Sequence, residues 1–501
     1  MSTEIPSFEN GLRRGRLGTG HLVFFTVAAS APLTVLGGGV TTMYAVSGNI
    51  GGAVSYVLLA AVLGLFAVGY AAMSRHVSNA GAFYSYVANG LGRAGGVAGS
   101  FIALAAYNTI QIGLYGLFGA IVADFVDTKF DVGLAWWFWA LLAWAVVGIL
   151  GLLRVDLNAT VLAVLLLLEC VAVAVFDIAA LSNPAGGIIT FDGLDPGNLF
   201  TVGLGAVLAL GIASFTGFES GAIYSEEVKD PRRTVARATY IAVAFTGLFY
   251  ALSAWSLTVV TGPANVVATS AEAGAGAIFG TLAQYVGVLV ADVANLLFIT
   301  SVLAALLSFH NSVARYLFAL GREQVLPRFL SRIGVRTGAP VAGSATQTLL
   351  ALVVVLGFAA TGRDPVIDLF TWFSGLSAVG VVLLMTLTSA AVVGYFRRHP
   401  HTGESAWQRV VAPASATLAL LAILAVLVVN FDALLAPTSP AYLAWLLPSV
   451  IGCAAAAGLF WGMLLRTVRP RVYAGIGRPA DEWASAERQR EPELVSTRID
   501  R

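Results

Sequence analysis

Charge is what this sequence has least of. Of its 501 residues, 11% are Asp, Glu, Lys or Arg, against about 25% in ordinary soluble domains. That scarcity excludes a water-soluble globular protein. A net charge of +1 with no basic stripe gives no support to nucleic-acid binding. Cysteine is nearly absent too. The two present, Cys170 and Cys453, sit in apolar stretches and read as packed thiols rather than a disulfide or a metal pair. The five histidines are scattered at positions 21, 76, 310, 399 and 401. There is no Gly-Lys-Ser phosphate loop, no His-Glu-x-x-His and no nucleophile–base pair. ATP-driven, metal-dependent and other enzymatic chemistry is therefore not expected, and no cofactor is implied.

What the chain has in quantity is apolar length. It is 58% hydrophobic, with a mean hydropathy of +0.84. A membrane-crossing helix needs about 20 mostly apolar residues. That rule predicts an all-α polytopic membrane protein with about 12 transmembrane helices, at 22–47, 52–73, 95–125, 133–153, 157–182, 199–225, 235–261, 286–309, 342–361, 366–395, 409–430 and 441–465. A short amphipathic piece, 271–285, precedes the eighth span. The apolar stretch from His21 is too long for a signal-peptide core and reads as a retained first span.

Basic residues fix an expected orientation. Arg13, Arg14 and Arg16 precede the first span, and arginines recur after the second, fourth, sixth, eighth, tenth and twelfth. The intervening loops carry acids such as Asp127, Asp131, Asp192 and Asp432, with only Lys129 and Arg363 as bases. Both ends of the chain, a tail at 1–21 and another at 466–501, are expected on the cytoplasmic side of the cell membrane.

Two spans are interrupted. Thr34-Val-Leu-Gly-Gly-Gly39 lies in the first, and Ser214-Phe-Thr-Gly-Phe-Glu219 in the sixth. Glycines at Gly37, Gly38 and Gly39 let a helix unwind near the midplane, which lipid forbids unless the bare backbone lines a cavity. Breaks in corresponding places are the mark of a transporter binding site and suggest two inverted five-helix repeats, 22–182 and 199–396, with two further helices at 409–465. Close helix packing is the other use for such glycines.

Glu219 is a carboxylate at membrane depth, a functional-site hypothesis by default. It either exchanges a proton and couples gates, or serves as a buried acid bonded to unwound backbone. In the third span Tyr107, Gln111 and Tyr115 are spaced by four and share a face that is expected to look into the bundle. Thr300 and Ser301 are adjacent hydroxyls in the eighth span. With first-span carbonyls at Leu33 and Leu36 they form a candidate sodium site, or they bond back to their own helix. Trp372, with Thr371 and Ser374, is a candidate outer gate, while Glu169, Asp177 and Asp292 stay open as acids.

The stretch Ser214-Phe-Thr-Gly-Phe-Glu-Ser220, continuing to Glu227-Val-Lys-Asp-Pro-Arg-Arg233, resembles the sixth-helix pattern of the amino acid–polyamine–organocation (APC) permeases. Gly37–Gly39, Asn79-Ala-Gly-Ala-Phe-Tyr84 and His310-Asn-Ser-Val-Ala-Arg315 support the likeness, which covers about 20–400. The resemblance implies a LeuT-like fold and a permease moving an amino acid, coupled to protons or sodium or by exchange. A polyamine carrier of the same fold and a non-transporting amino-acid sensor are the alternatives. By position it implies a substrate carboxylate on the Gly38 and Gly39 amides, an amino group on carbonyls of Ala213, Ser214 and Phe215, with Thr34, Gly37, Tyr107, Gln111 and Thr216 around it. It gives Glu219 a gating role. Ala213 stands where some members have tryptophan, and the fifth span lacks the lysine that some proton-coupled members carry.

Overall fold

The structure is a computed structural model, and it describes residues 19–77, 83–153, 159–219, 231–334 and 337–477. Arg13, Arg14, Arg16, Asn79, Arg154, Lys229, Arg336, the 220–230 part of the sixth-helix motif and the tail beyond 477 lie outside the described residues.

Every described element is helical. Nine of the described helices are long and apolar enough to cross a membrane. They are the second (Gly52–Ser74), third (Arg93–Phe130), fifth (within Ala159–Ser182), seventh (within Pro231–Thr261), eighth (Val288–Arg322), ninth (Val341–Ala360), tenth (Pro365–Arg398), eleventh (Trp407–Val429) and twelfth (Leu443–Val468). The fourth segment, Trp136–Leu152, is shorter at 17 residues. The piece before the eighth span is a pair of helices, Val266–Ala273 and Gly276–Tyr285, bent by 103° at the intervening glycine. It begins earlier than the expected 271.

The first and sixth segments fall short because both are interrupted. The first runs as helix over Thr19–Ser30, stops at Ala31, and resumes over Pro32–Thr34. It then passes through a π-helical stretch, Val35–Val40, into Thr41–Ser47. The break at Ala31 therefore precedes the triple glycine, which begins at Gly37, by nearly two turns. Ala31 holds φ 45° and ψ 78°, a left-handed conformation that an alanine rarely adopts. Pro32 explains the position: proline has no N–H to give and crowds the preceding residue out of the α region. The glycines stay wound, with the wider π turn as their irregularity. The sixth segment is helical over Leu204–Phe215 and ends there. Thr216 has ψ 127°, and Gly217 has φ +111°, a conformation open to glycine.

Lipid offers no hydrogen bonds, so hydroxyls inside these helices bond back to their own backbone. Thr26 donates to Leu22, Thr246 to Ala242 and Thr388 to Leu384, at 2.7, 2.7 and 2.8 Å. Helices approach closely where both surfaces are small. A methyl group at Gly458 or Gly462 of the twelfth would lie 2.7 or 2.8 Å from the Cα of Ala98 or Ala94 in the third.

Loops pair as the charge pattern predicts. After the second helix, Arg75 and His76 reach Glu404, beyond the tenth, at 3.1 and 3.5 Å. The Gly477 amide, past the twelfth, donates to Glu323 at the end of the eighth. Its carbonyl accepts from Asn89, ahead of the third. At the opposite ends of the third and eighth helices, Lys129 meets Asp292 at 2.7 Å. The described connections after the second, eighth, tenth and twelfth helices thus meet on one face.

Candidate functional site

The two interruptions meet. A cavity is lined by Ser30, Ala31, Thr34, Val35 and Gly39 of the first segment, and by Leu210, Ala213, Ser214 and Thr216 of the sixth. Ile110 and Leu114 of the third helix close one wall, Ala305 and Phe309 of the eighth another, and Phe370 and Ser374 of the tenth a third. No ionisable side chain lines it among the described residues.

Its polarity comes from backbone ends. The segment restarting at Pro32 turns its N-terminus, the positive end of the peptide dipoles, to this region, and the helix ending at Phe215 brings its C-terminus. Thr216 N–H folds back onto the Ile212 and Ala213 carbonyls, both at 3.1 Å, and Phe218 N–H onto Phe215 at 3.1 Å. Among the described residues the Ser214 carbonyl takes no such backbone donor. The Ser214 hydroxyl donates to Leu210 at 2.8 Å and meets Tyr56 Oη at 3.0 Å.

Beside the cavity runs a chain of hydroxyls. Thr34 Oγ1 donates to Ser301 Oγ at 2.9 Å, and Ser301 donates to the Glu169 carboxylate at 2.7 Å. The Leu33 amide faces the same carboxylate. Glu169 is 4% exposed and joins the first, fifth and eighth helices. The Thr300 hydroxyl turns away, to Leu297 O at 2.9 Å in its own helix. The expected hydroxyl pair is thus split, and Leu36 does not line the cavity.

On the side of the Glu323 and Gly477 contacts, Glu219 ends the unwound turn. Its carboxylate accepts from the Tyr107 hydroxyl and from the Gly217 amide at 3.1 Å, and Tyr70 Oη reaches its carbonyl at 3.3 Å. Tyr70 belongs to a buried aromatic group with Phe66, Phe83 and Tyr86, ring centroids 5.2–6.2 Å apart.

Several expected contacts lie elsewhere. Tyr107 serves Glu219 rather than the cavity. Gln111 accepts from Gln347 of the ninth helix at 2.7 Å and donates to Tyr115 at 3.1 Å, holding third and ninth together. Gly37 faces Phe298 and Gly38 faces Leu117, leaving Gly39 as the glycine at the cavity. Phe215 packs its ring on Tyr56 and Tyr250. Trp372 lies edge-on to Phe358 at 6.2 Å, with Arg363 5.6 Å over its ring. Sequence reading passed over Ile110 and Leu114. They are also spaced by four, one position round from the polar stripe, and that offset was the available signal.

Comparison with known proteins agrees with this geometry. A family profile described as Amino acid permease matches residues 18–452. The chain belongs to the amino acid permease family. Cationic amino acid transporter 7, chloroplastic, of Arabidopsis thaliana is 26% identical to this permease over 214 residues, 42% of the permease and 33% of the plant protein. An uncharacterized transporter of Mycobacterium tuberculosis is 27% identical over 180 residues, 36% of the permease and 38% of that protein. The matches thus span well under half of either relative. The crystal structure of MhsT in complex with L-phenylalanine superposes with a TM-score of 0.55 at 16% identity, covering 83% of the permease and all of MhsT. The permease therefore has the LeuT-like fold.

Proposed function

We propose that this permease is a secondary active transporter that carries an α-amino acid across the cell membrane by alternating access. The observation that carries the proposal is the meeting of two broken helices at one cavity, an amide end from Pro32 and a carbonyl end at Phe215. A zwitterion has one charge for each: the carboxylate suits the amide end, the ammonium the carbonyl end. In this reading Thr34 and Gly39 flank the carboxylate, and the Ser214 carbonyl takes the ammonium, with Ala213 and Thr216 beside it. Twelve crossings, two inverted five-helix repeats and cytoplasmic termini belong to the same proposal. Its support is the basic residues clustering on the even-numbered loops. Glu219 controls closure on the side of the aromatic group, and Trp372 guards the opposite mouth. Glu169, linked to the cavity through Ser301 and Thr34, is the group through which a cation gradient acts, and Glu219 the group through which a proton gradient acts.

The test is uptake of radiolabelled amino acids into proteoliposomes under imposed proton or sodium gradients, and in exchange mode with preloaded vesicles. Accumulation or exchange of at least one amino acid is expected. Vesicles that stay at the empty-liposome level for every amino acid in every mode would refute transport and favour a sensor.

A further inference from the structure

We infer that the side-chain half of the cavity selects an uncharged, predominantly apolar amino acid, and that Ser374 is the residue that reads a polar atom on that side chain. The inference rests on the transport reading and names the substrate class within it.

Charge comes first. A cationic side chain held away from water needs a carboxylate. Each described acid in the neighbouring segments is committed elsewhere. Glu219 accepts from Tyr107 and Gly217. Glu169 accepts from Ser301. Asp177 accepts from Ser253 at 3.1 Å. Asp368 lies 3.8 Å from Arg363, and Asp292 is on the surface with Lys129. None of them lines the cavity. Polyamines and basic amino acids are disfavoured on this ground, and acidic ones too, since among the described residues no basic side chain lines it either. What the walls offer is Ile110, Leu114, Ala305, Phe309 and Phe370.

The hydroxyls single out one residue. Thr34, Ser214 and Thr216 are occupied by Ser301, Leu210 and Ile212, and Ser30 leans on Thr26. Ser374 lines the cavity, is fully buried, and its Oγ has no partner among the described residues. A buried hydroxyl left unpaired costs stability, and rotation about its side-chain torsion lets it turn to a ligand. Ser377, almost one turn further on, is also buried and unpartnered but does not line the cavity, which makes it the control.

The experiment is inhibition of uptake in proteoliposomes by leucine, valine, threonine, arginine, lysine, glutamate and putrescine, for the full-length protein and for Ser374→Ala and Ser377→Ala. Leucine and valine are expected to compete at least about tenfold better than arginine, lysine, glutamate or putrescine. Threonine and valine have the same shape and differ by one hydroxyl. Ser374→Ala is expected to shift the threonine-to-valine ratio toward valine by about tenfold, and Ser377→Ala to leave it unchanged. Charged solutes competing as well as leucine, or a ratio that Ser374→Ala does not move, would overturn the inference while leaving transport in place. No uptake of any amino acid by the full-length protein would instead remove the transport reading itself.

Discussion

Glu219 shows how far one residue can be read from sequence. A carboxylate inside an apolar run announces itself, because nothing in lipid would tolerate it idly. Its partners did not announce themselves: Tyr107 is 112 residues away and looked like a cavity residue. Gln111 illustrates the same limit. Spacing by four names a helix face, but the neighbour on that face, Gln347, comes 236 residues later. Glu219→Gln keeps shape and both contacts, since the amide oxygen can face Gly217 N–H while the Tyr107 hydroxyl reverses. Expression and folding should therefore be retained. Uptake should fall about tenfold, the equivalent of losing a charged hydrogen bond of ~1.4 kcal/mol, and its pH profile should flatten. Initial rates across a pH series check this, and an unaltered profile would count against a proton role.

At the scale of elements, composition placed the interruptions in the correct helices but set the first one nearly two turns too late. Glycine drew attention because it permits unwinding, whereas Pro32 compels it. A proline inside a helix costs about 3 kcal/mol by deleting a donor and crowding the preceding turn. The left-handed Ala31 is the resolution of that conflict. Pro32→Ala restores the donor, so the helix can close over residues 28–34. The expected result is weaker substrate binding, by about tenfold or more, with thermal stability unchanged or raised. Calorimetric or scintillation-proximity measurement of Kd checks it. Equal affinity would mean that the break is held by the surrounding packing and not by proline.

For the whole molecule, hydropathy and the two interrupted spans were enough to foresee the helical architecture. The fold is shared with MhsT at only 16% identity. Both facts have one cause: the membrane constrains apolar length and backbone satisfaction, which many sequences meet. Side-chain partners across the bundle are set by packing, which no local pattern encodes, and so the cavity walls were the less legible part. Asp292 is a case in point. In sequence it was an open acid, a contact for cations. In the structure it pairs with Lys129, the two side chains 40% and 34% exposed. Exposed pairs contribute roughly 0–1 kcal/mol. Asp292→Asn should accordingly leave uptake within about twofold of wild type and lower stability by less than about 1 kcal/mol. A loss of transport in that variant would move the binding region to the molecule's rim.

The contact of Arg75 and His76 with Glu404 carries a consequence for speed. It fastens the second helix to the loop beyond the tenth. In the cycle we propose, a bundle of the first, second, sixth and seventh helices rocks against the others, so this clasp must unfasten once per turnover. The clasp meets water on its cationic side, with Arg75 39% and His76 25% exposed against 8% for Glu404, and a partly exposed pair holds weakly. A carrier that works by alternating access is well served by a fastening of that kind, firm enough to define the shut position and light enough to let go.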